Sequence, residues 1–264
     1  MDTIEAIILG IVQGLTEFLP VSSSGHLQIA KALMGVEIEQ NLLFDVTLHA
    51  ATVLSTIVVL RSEVWRLLGG LFSRRFNEEQ AYVLKLLLSM IPIGIVGFTL
   101  KDRLDALLES PAILLVVGCM LLVTAALLAF AYYAKPRQKA QLSYRDAFLI
   151  GVAQAVAALP GLSRSGSTIA TGLLLGNRKQ TVAQFSFLMV LAPILGETFL
   201  ELMKGNLGAQ AIGSAPLAAG FVAAFVVGCL ACKFMIEIVK RGKLVWFALY
   251  CAAAGTVSIL SYVL

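Results

Sequence analysis

The chain has 264 residues, of which 59% are apolar and only 14% charged, against roughly a quarter charged in a soluble domain. Its 20 basic and 16 acidic residues leave a net charge of +4, which says less about partners than where the basic residues lie. This balance excludes a soluble globular domain, a disordered chain and a nucleic-acid binder, and predicts an all-α integral membrane protein folded as one domain over residues 1–264.

Asp2 and Glu5 stand where a signal peptide would be basic, and no small-residue cleavage site follows, so no cleavable leader is expected. Residues 3–35 are apolar but broken by Pro20 and then by Ser22, Ser23, Ser24, Gly25 and His26. Residues 42–60 make the first full span, interrupted only by Asp45 and His49. Residues 82–100, with Lys85 and Pro92, and residues 111–134 make the second and third. Residues 144–176 are again apolar and broken, by Pro160 and Gly161 and then Ser163, Arg164, Ser165 and Gly166. Residues 181–203 (with Pro193, Glu197 and Glu201), 215–235 and 244–263 bring the spans to six. Cys229 and Cys232 have a redox or metal spacing, but they lie mid-span with no second pair and no nearby His. They read as packed small hydrophobes.

The limbs of the two broken segments are each too short to cross a hydrocarbon core. Bare backbone at membrane depth is tolerated only where protein buries it or a wet cavity is lined. The economical reading is two re-entrant helical hairpins with their polar breaks at the tips. The hairpins also resemble each other. Leu9 to Gln13 aligns with Ile150 to Gln154, Leu19-Pro20 with Leu159-Pro160, and Ser22 to Gly25 with Ser163 to Gly166, while Phe185 falls at the offset of Phe44. A hairpin plus three spans, twice, gives repeats of about 3–134 and 144–264. Three spans per repeat invert the second copy in the membrane, and inverted repeats with broken helices place their site near the midplane. Ser23 and Ser165 are therefore expected in one cavity. Lys/Arg-rich and Lys/Arg-poor connections alternate as this topology requires, with both termini outside and the first hairpin entering from the outside.

Charges and clustered hydroxyls inside membrane segments are costly, and so mark function. The second tip opens a helix at Ser163, where free N–H groups and a positive dipole end suit an anion. Arg164 adds a bidentate fork, and Ser163, Ser165 and Thr168 add donors. This set fits a phosphate. Plain N-capping with Arg164 snorkelling to the surface would leave the crowded hydroxyls unexplained. The first tip opens a helix over Ser22 to about Met34, so two helix ends could serve the two phosphates of a pyrophosphate. Glu17, one turn beyond Gln13, suits a site where it holds a divalent cation with Gln13 or orients a nucleophile; a structural ion pair with Arg164 is the plain alternative. His26 can move a proton near neutral pH. Asp45 and His49 share one face of the first span, as site-lining groups or as a packed pair.

Gln13-Gly-Leu-Thr-Glu17-Phe-Leu-Pro-Val-Ser-Ser-Ser-Gly-His26 and Pro160-Gly-Leu-Ser-Arg-Ser-Gly-Ser-x-x-Thr together resemble the two signatures of the bacterial undecaprenyl pyrophosphate phosphatases, the bacitracin-resistance family. The likeness extends over the whole chain. It implies an enzyme that removes the terminal phosphate of a polyprenyl pyrophosphate lipid in carrier-lipid recycling. It implies catalytic roles for Glu17, Ser23, His26 and Arg164, and substrate binding by Ser22, Ser24, Gly25, Ser163, Ser165, Gly166 and Thr168. It further implies a divalent cation, magnesium or calcium, at Glu17 and Gln13, although Gln13 stands where the family also uses Glu. The setting implied is the bacterial inner membrane, multi-pass, with the site open to the periplasm. The bilayer is then a partner, nucleic acid is not, and a homodimer is left open. Phe185-Ser-Phe also looks familial, whereas residues 177–181 look less so and are placed outside the chemistry. Within the enzyme reading, Ser23 or a water attacks the terminal phosphorus, and His26 or Glu17 handles the proton. The rival reading is a lipid-carrier flippase or secondary transporter, since inverted repeats are a transporter architecture.

Overall fold

The computed structural model describes residues 1–36, 42–133, 139, 141–196 and 213–263. Every regular element among the described residues is a helix, apart from an isolated parallel bridge between Lys139 and Asn177. The first helix, α1 (Thr3–Thr16), starts from a capping box in which Asp2 accepts from the Glu5 N–H at 2.7 Å and Glu5 from the Asp2 N–H at 2.6 Å. Its 14 residues span about 21 Å, short of the roughly 30 Å hydrocarbon core. After the turn through Pro20, α2 (Ser23–Met34) runs for 12 residues and ends on Gly35, whose φ of +67° is a left-handed cap that glycine adopts without strain. The second broken segment has the same form, with α8 (Tyr144–Val156), a turn through Pro160 and Gly161, and α9 (Arg164–Leu174).

The first full span is α3 (Leu42–Val59). It meets α4 (Arg61–Leu71) at 80°, where the apolar run gives way to Arg61, Glu63 and Arg66. The sequence reading treats this stretch as a basic connection. In the structure it is an amphipathic helix that buries Leu67 and leaves Trp65 exposed. Next come α5 (Glu78–Thr99), the short α6 (Lys101–Leu108), α7 (Ile113–Tyr133) and, after the second broken pair, α10 (Lys179–Met189). The expected continuous span over 181–203 is interrupted. The α10 helix stops at Val190, helix resumes over 191–196, and 197–203 lie outside the described residues. Pro193 is the physical cause, since it has no N–H to give and its ring crowds the carbonyl of Met189, four residues back. The last helices are α11 (Ser214–Arg241) and α12 (Val245–Val263).

Four helices, α5, α7, α11 and α12, are long and apolar enough to cross a membrane, and the bent α3–α4 pair makes a fifth candidate. Phe98, Phe130, Leu230 and Trp246 point outward from them, as the lipid-facing side chains of a multi-pass membrane protein do and those of a soluble protein do not.

The close contacts run between the two halves of the chain. The α1 helix packs on α11, α8 on α5, and α7 on α12. A methyl group on Gly10 would collide with the Gly220 carbonyl, and one on Gly151 with the backbone of Ser89. A methyl on Gly118 would lie 2.8 Å from the Gly255 carbonyl oxygen, and one on Gly255 2.7 Å from that of Gly118. Small residues at these crossings let backbones meet where lipid offers no hydrophobic drive for association. The α9 helix is walled in on almost every side, with Ser165 to Ala170, Gly172 and Leu173 all buried. The core beside it includes Ile150, Val182 and Phe185, with Phe18 edge-on to Phe187 at 5.8 Å.

Candidate active site

The two tips are built alike. Ser22 caps α2 by accepting from the Gly25 N–H at 3.3 Å, and Ser163 caps α9 by accepting from the Gly166 N–H at 3.1 Å. In each tip the capping hydroxyl also lies 3.4 Å from the serine two residues on, Ser24 and Ser165. Ser22 has φ +70°, and no other non-glycine described residue has positive φ; such local strain concentrates at functional sites.

The tips also interlock. A methyl on Gly25 would lie 3.2 Å from Cα of Gly161, and one on Gly166 3.3 Å from Cβ of Pro20. The Ser165 hydroxyl donates to the Leu19 carbonyl at 3.1 Å. Neighbouring helices hold the joint. The Ser163 N–H donates to the Thr124 hydroxyl of α7 at 3.0 Å, and the Cys251 thiol of α12 to the Pro20 carbonyl at 3.5 Å. Two helix N-termini, each with N–H groups that the helix itself cannot satisfy, therefore open at one place.

Glu17, the C-cap of α1, is carried into this joint. Its Oε2 accepts from the Ser23 hydroxyl at 2.6 Å and from Nε2 of Gln13 at 3.0 Å, and its Oε1 is ion-paired with Arg164. The predicted groups of both hairpins thus meet on one carboxylate. Arg164 does not snorkel. Its partner is Glu17, so the plain ion pair is present in the structure, and it lies inside the serine cluster. The second tip has no acid of its own, since Ala157 and Ala158 stand where the first has Glu17.

Not every candidate faces the joint. The Thr168 hydroxyl turns away, onto the Arg164 carbonyl at 2.9 Å and the Ser186 hydroxyl of α10 at 2.6 Å. Nδ1 of His26 meets the Ser22 carbonyl at 2.8 Å and its Nε2 the Tyr250 hydroxyl at 2.7 Å, so neither ring nitrogen is on Ser23. Of the two proton handlers that the sequence leaves open, Glu17 is the one in contact with a serine hydroxyl. Asp45 is taken by a residue that sequence reasoning missed. Lys31, 1% exposed, bonds both its carboxylate oxygens at 2.9 and 2.8 Å. The signal was available, since Lys31 is the one full charge inside α2 and a lysine at depth demands a partner. His49 donates from Nδ1 to the Asp45 carbonyl at 2.8 Å. Asn177 is buried at the far end of the second hairpin, bonded to Asp146 at 3.2 Å and away from the tips. Cys229 and Cys232 are free thiols, Cys232 fully buried.

With this geometry in hand, the comparisons with known proteins are decisive. Residues 6–257 match the family described as "Bacitracin resistance protein BacA". The chain belongs to this family. It is 62% identical over 262 residues to an undecaprenyl-diphosphatase of Parabacteroides distasonis, covering 98% of each chain. It is 58% identical over 264 residues to one of Bacteroides thetaiotaomicron, covering 99% of each, and 34% identical over 280 residues to one of Methanosphaera stadtmanae, covering 98% of each. For this member of the family, the cation expected at Glu17 and Gln13 can be tested against the donors present. Oε1 of Gln13 is buried and has no partner, beside a carboxylate. Two hard oxygens fit a magnesium- or calcium-type ion. Among the described residues no group of three His, Cys, Asp or Glu could hold a metal, so the remaining ligands would have to come from phosphate and water.

Proposed function

We propose that the protein is a membrane phosphatase that hydrolyses undecaprenyl pyrophosphate to undecaprenyl phosphate and inorganic phosphate, renewing the carrier lipid of cell-wall synthesis and thereby opposing bacitracin. The observation that carries this reading is the 2.6 Å hydrogen bond from Ser23 to Glu17, set beside Arg164 where two helix N-termini meet. A flippase needs only donors for the phosphate; a hydroxyl held on a carboxylate also supplies a nucleophile and the base that activates it.

The chemistry follows from the contacts. The Ser23 oxygen attacks the terminal phosphorus, and Oε2 of Glu17 takes its proton. The bond from that phosphorus to the bridging oxygen breaks, with its electron pair passing to the departing lipid monophosphate. Glu17 returns its proton to that leaving group, then draws one from the water that attacks the phosphoserine and passes it to the Ser23 oxygen as the bond from phosphorus to that oxygen breaks. Arg164 and the N–H groups of α2 and α9, with the hydroxyls of Ser22, Ser24, Ser163 and Ser165, stabilise charge on the transferring group. Gly25 and Gly166 keep the joint narrow. Thr168 acts at one remove, fastening α9 to α10. A divalent cation at Glu17 and Gln13 would supply further positive charge to the phosphates when bound.

The architecture we propose is six spans and two re-entrant hairpins in inverted repeats, about 3–134 and 144–264. The paired contacts of Gly10 with Gly220 and Gly151 with Ser89, and the reciprocal contact of Gly118 with Gly255, support it, since two related halves make each contact twice. The alternation of Lys/Arg-rich connections supports a site opening to the periplasmic face of the inner membrane. Release of inorganic phosphate from undecaprenyl pyrophosphate by the purified protein in detergent tests the function. Turnover lost in Ser23→Ala is the expected result, and absence of release by the unmodified protein would overturn the reading.

A further inference from the structure

The contact between His26 and Tyr250 joins residues 224 positions apart, and nothing in the catalysis described above uses Tyr250. It lies on α12, beside the outward-facing Trp246 and Leu249, and is itself 48% exposed. Its ring is stacked on the imidazole, with centroids 5.5 Å apart and planes inclined by 18°. Its hydroxyl oxygen lies 2.7 Å from Nε2.

The donor sense is fixed by the other nitrogen. Nδ1 lies 2.8 Å from the Ser22 carbonyl oxygen, which only accepts, so Nδ1 carries a proton. In the neutral ring Nε2 then holds a lone pair, and the Tyr250 O–H donates to it. The imidazole is thereby held in one tautomer and one plane, by the strained residue Ser22 on one side and the phenol on the other. At this outward-facing position the hydrogen bond gives Nε2 and the phenol each a partner that lipid would not supply.

We propose that Tyr250 is a positioning residue for the phosphatase reaction, acting through His26: its hydroxyl donates to Nε2 and its stacked ring holds the imidazole, whose Nδ1–H braces the Ser22 carbonyl next to the nucleophile Ser23. The inference rests on the function proposed above. Tyr250 touches neither Ser23 nor Glu17 by a hydrogen bond among the described residues. The other ionisable groups at the joint are engaged elsewhere, Glu17 with Arg164 and the Cys251 thiol with the Pro20 carbonyl. The phenol is therefore the side chain that sets the state of this ring.

Two variants separate the hydroxyl from the ring. Tyr250→Phe keeps the stack and removes the O–H, whereas Tyr250→Leu removes both. Tyr250→Phe is expected to lower kcat by roughly tenfold, less than the ~10²-fold that a 1 Å misplacement of a reacting group can cost, with KM for undecaprenyl pyrophosphate unchanged. Tyr250→Leu should lose at least as much. A rise in KM at constant kcat would make Tyr250 a lipid contact and overturn the proposal, as would a Tyr250→Phe variant that turns over like the unmodified protein.

A second measurement is independent of turnover. The chain has two histidines, so ¹⁵N spectra of the imidazoles are readily assigned with a His49→Gln variant. His26 should show a single neutral tautomer protonated at Nδ1, and Tyr250→Phe should shift the Nε2 resonance as its hydrogen bond is lost. An unchanged Nε2 resonance in Tyr250→Phe would overturn the Tyr250–His26 hydrogen bond, and the proposal with it, even if the protein released no phosphate at all. Failure of the phosphatase reading would instead show as an inactive unmodified protein.

Discussion

Glu17 and Arg164 lie 147 positions apart in the chain and share one ion pair where the two hairpin tips meet, with the carboxylate side chain 5% exposed and the guanidinium 24%. Each hairpin supplies half of the pair. The first has the acid and its serine, and the second has the cation. The cluster is complete only when both tips are in place.

Arg164→Ala should reduce phosphate release by at least about 10²–10³, the typical loss for one preorganised electrostatic donor. Arg164→Lys should recover only part of it, because one ammonium cannot reproduce a planar fork. The alanine variant also strands Glu17 as a charge without its partner, a change that destabilises by roughly 3–5 kcal/mol when the pair is buried. Adding Glu17→Gln should therefore raise the melting temperature of Arg164→Ala without restoring turnover. Near-normal release by a monodisperse Arg164→Ala protein would remove the phosphate cradle from the second hairpin.

Chelation tests the pairing of Glu17 with Gln13. Excess chelator should abolish release, and magnesium or calcium should restore it. Gln13→Glu should lower the cation concentration giving half-maximal activity, because a second carboxylate adds a charged hard ligand where Oε1 of Gln13 is now unpartnered. Full activity in chelator would leave Glu17 with proton transfer alone.

Lys31 and Asp45 should behave as a structural pair. Lys31→Met leaves Asp45, whose side chain is 31% exposed, without its cation, with an expected destabilisation below the roughly 3–5 kcal/mol of a fully buried pair. Lys31→Met combined with Asp45→Leu should recover most of that loss, since matched apolar replacements of a buried pair are often neutral. The check is thermal unfolding of the three variants in one detergent. Equal melting temperatures for Lys31→Met and the unmodified protein would show that the pair contributes nothing.

The glycine crossings predict steric intolerance. Gly151→Val places side-chain atoms against the Ser89 backbone and should cost more than the roughly 1–3 kcal/mol of ordinary overpacking. Gly94→Val, at a position with open space around it, should cost nothing measurable, since valine is if anything the better helix former. Comparable yields of folded protein from both variants would contradict the packing of α8 on α5.

The broken segments were legible because proline, glycine and serine runs have no place in an unbroken membrane helix. Their limbs end where Pro20, Gly35 and Pro160 put them. The Ser22 and Ser163 caps follow from the same pattern. Other features depend on distance that a sequence does not display. Tyr250 gave no local sign of reaching His26. Ser186 lay in view within Phe185-Ser-Phe, but only the fold shows that its hydroxyl holds Thr168. The α4 helix was missed because its charges suggested a loop, while its burial rests on Leu67 alone. Lys31 was readable by the rule that exposes Glu17, an unexplained charge at depth, and was overlooked because attention fell on the tip of its helix rather than its end.

The packing of α1 against α11 has a consequence for biosynthesis. The ribosome delivers Gly10 long before Gly220, its close neighbour in the finished protein. At roughly 5–20 residues per second, the intervening stretch of about 200 residues takes some ten to forty seconds to translate. For most of that interval, until residue 164 has emerged, Glu17 has no Arg164 to pair with, and throughout it the face of α1 that meets α11 stays uncovered. The nascent hairpin must therefore wait at the lipid headgroups or in the care of the insertion machinery; the catalytic cluster can close only after the second hairpin has arrived, and its α11 support comes later still.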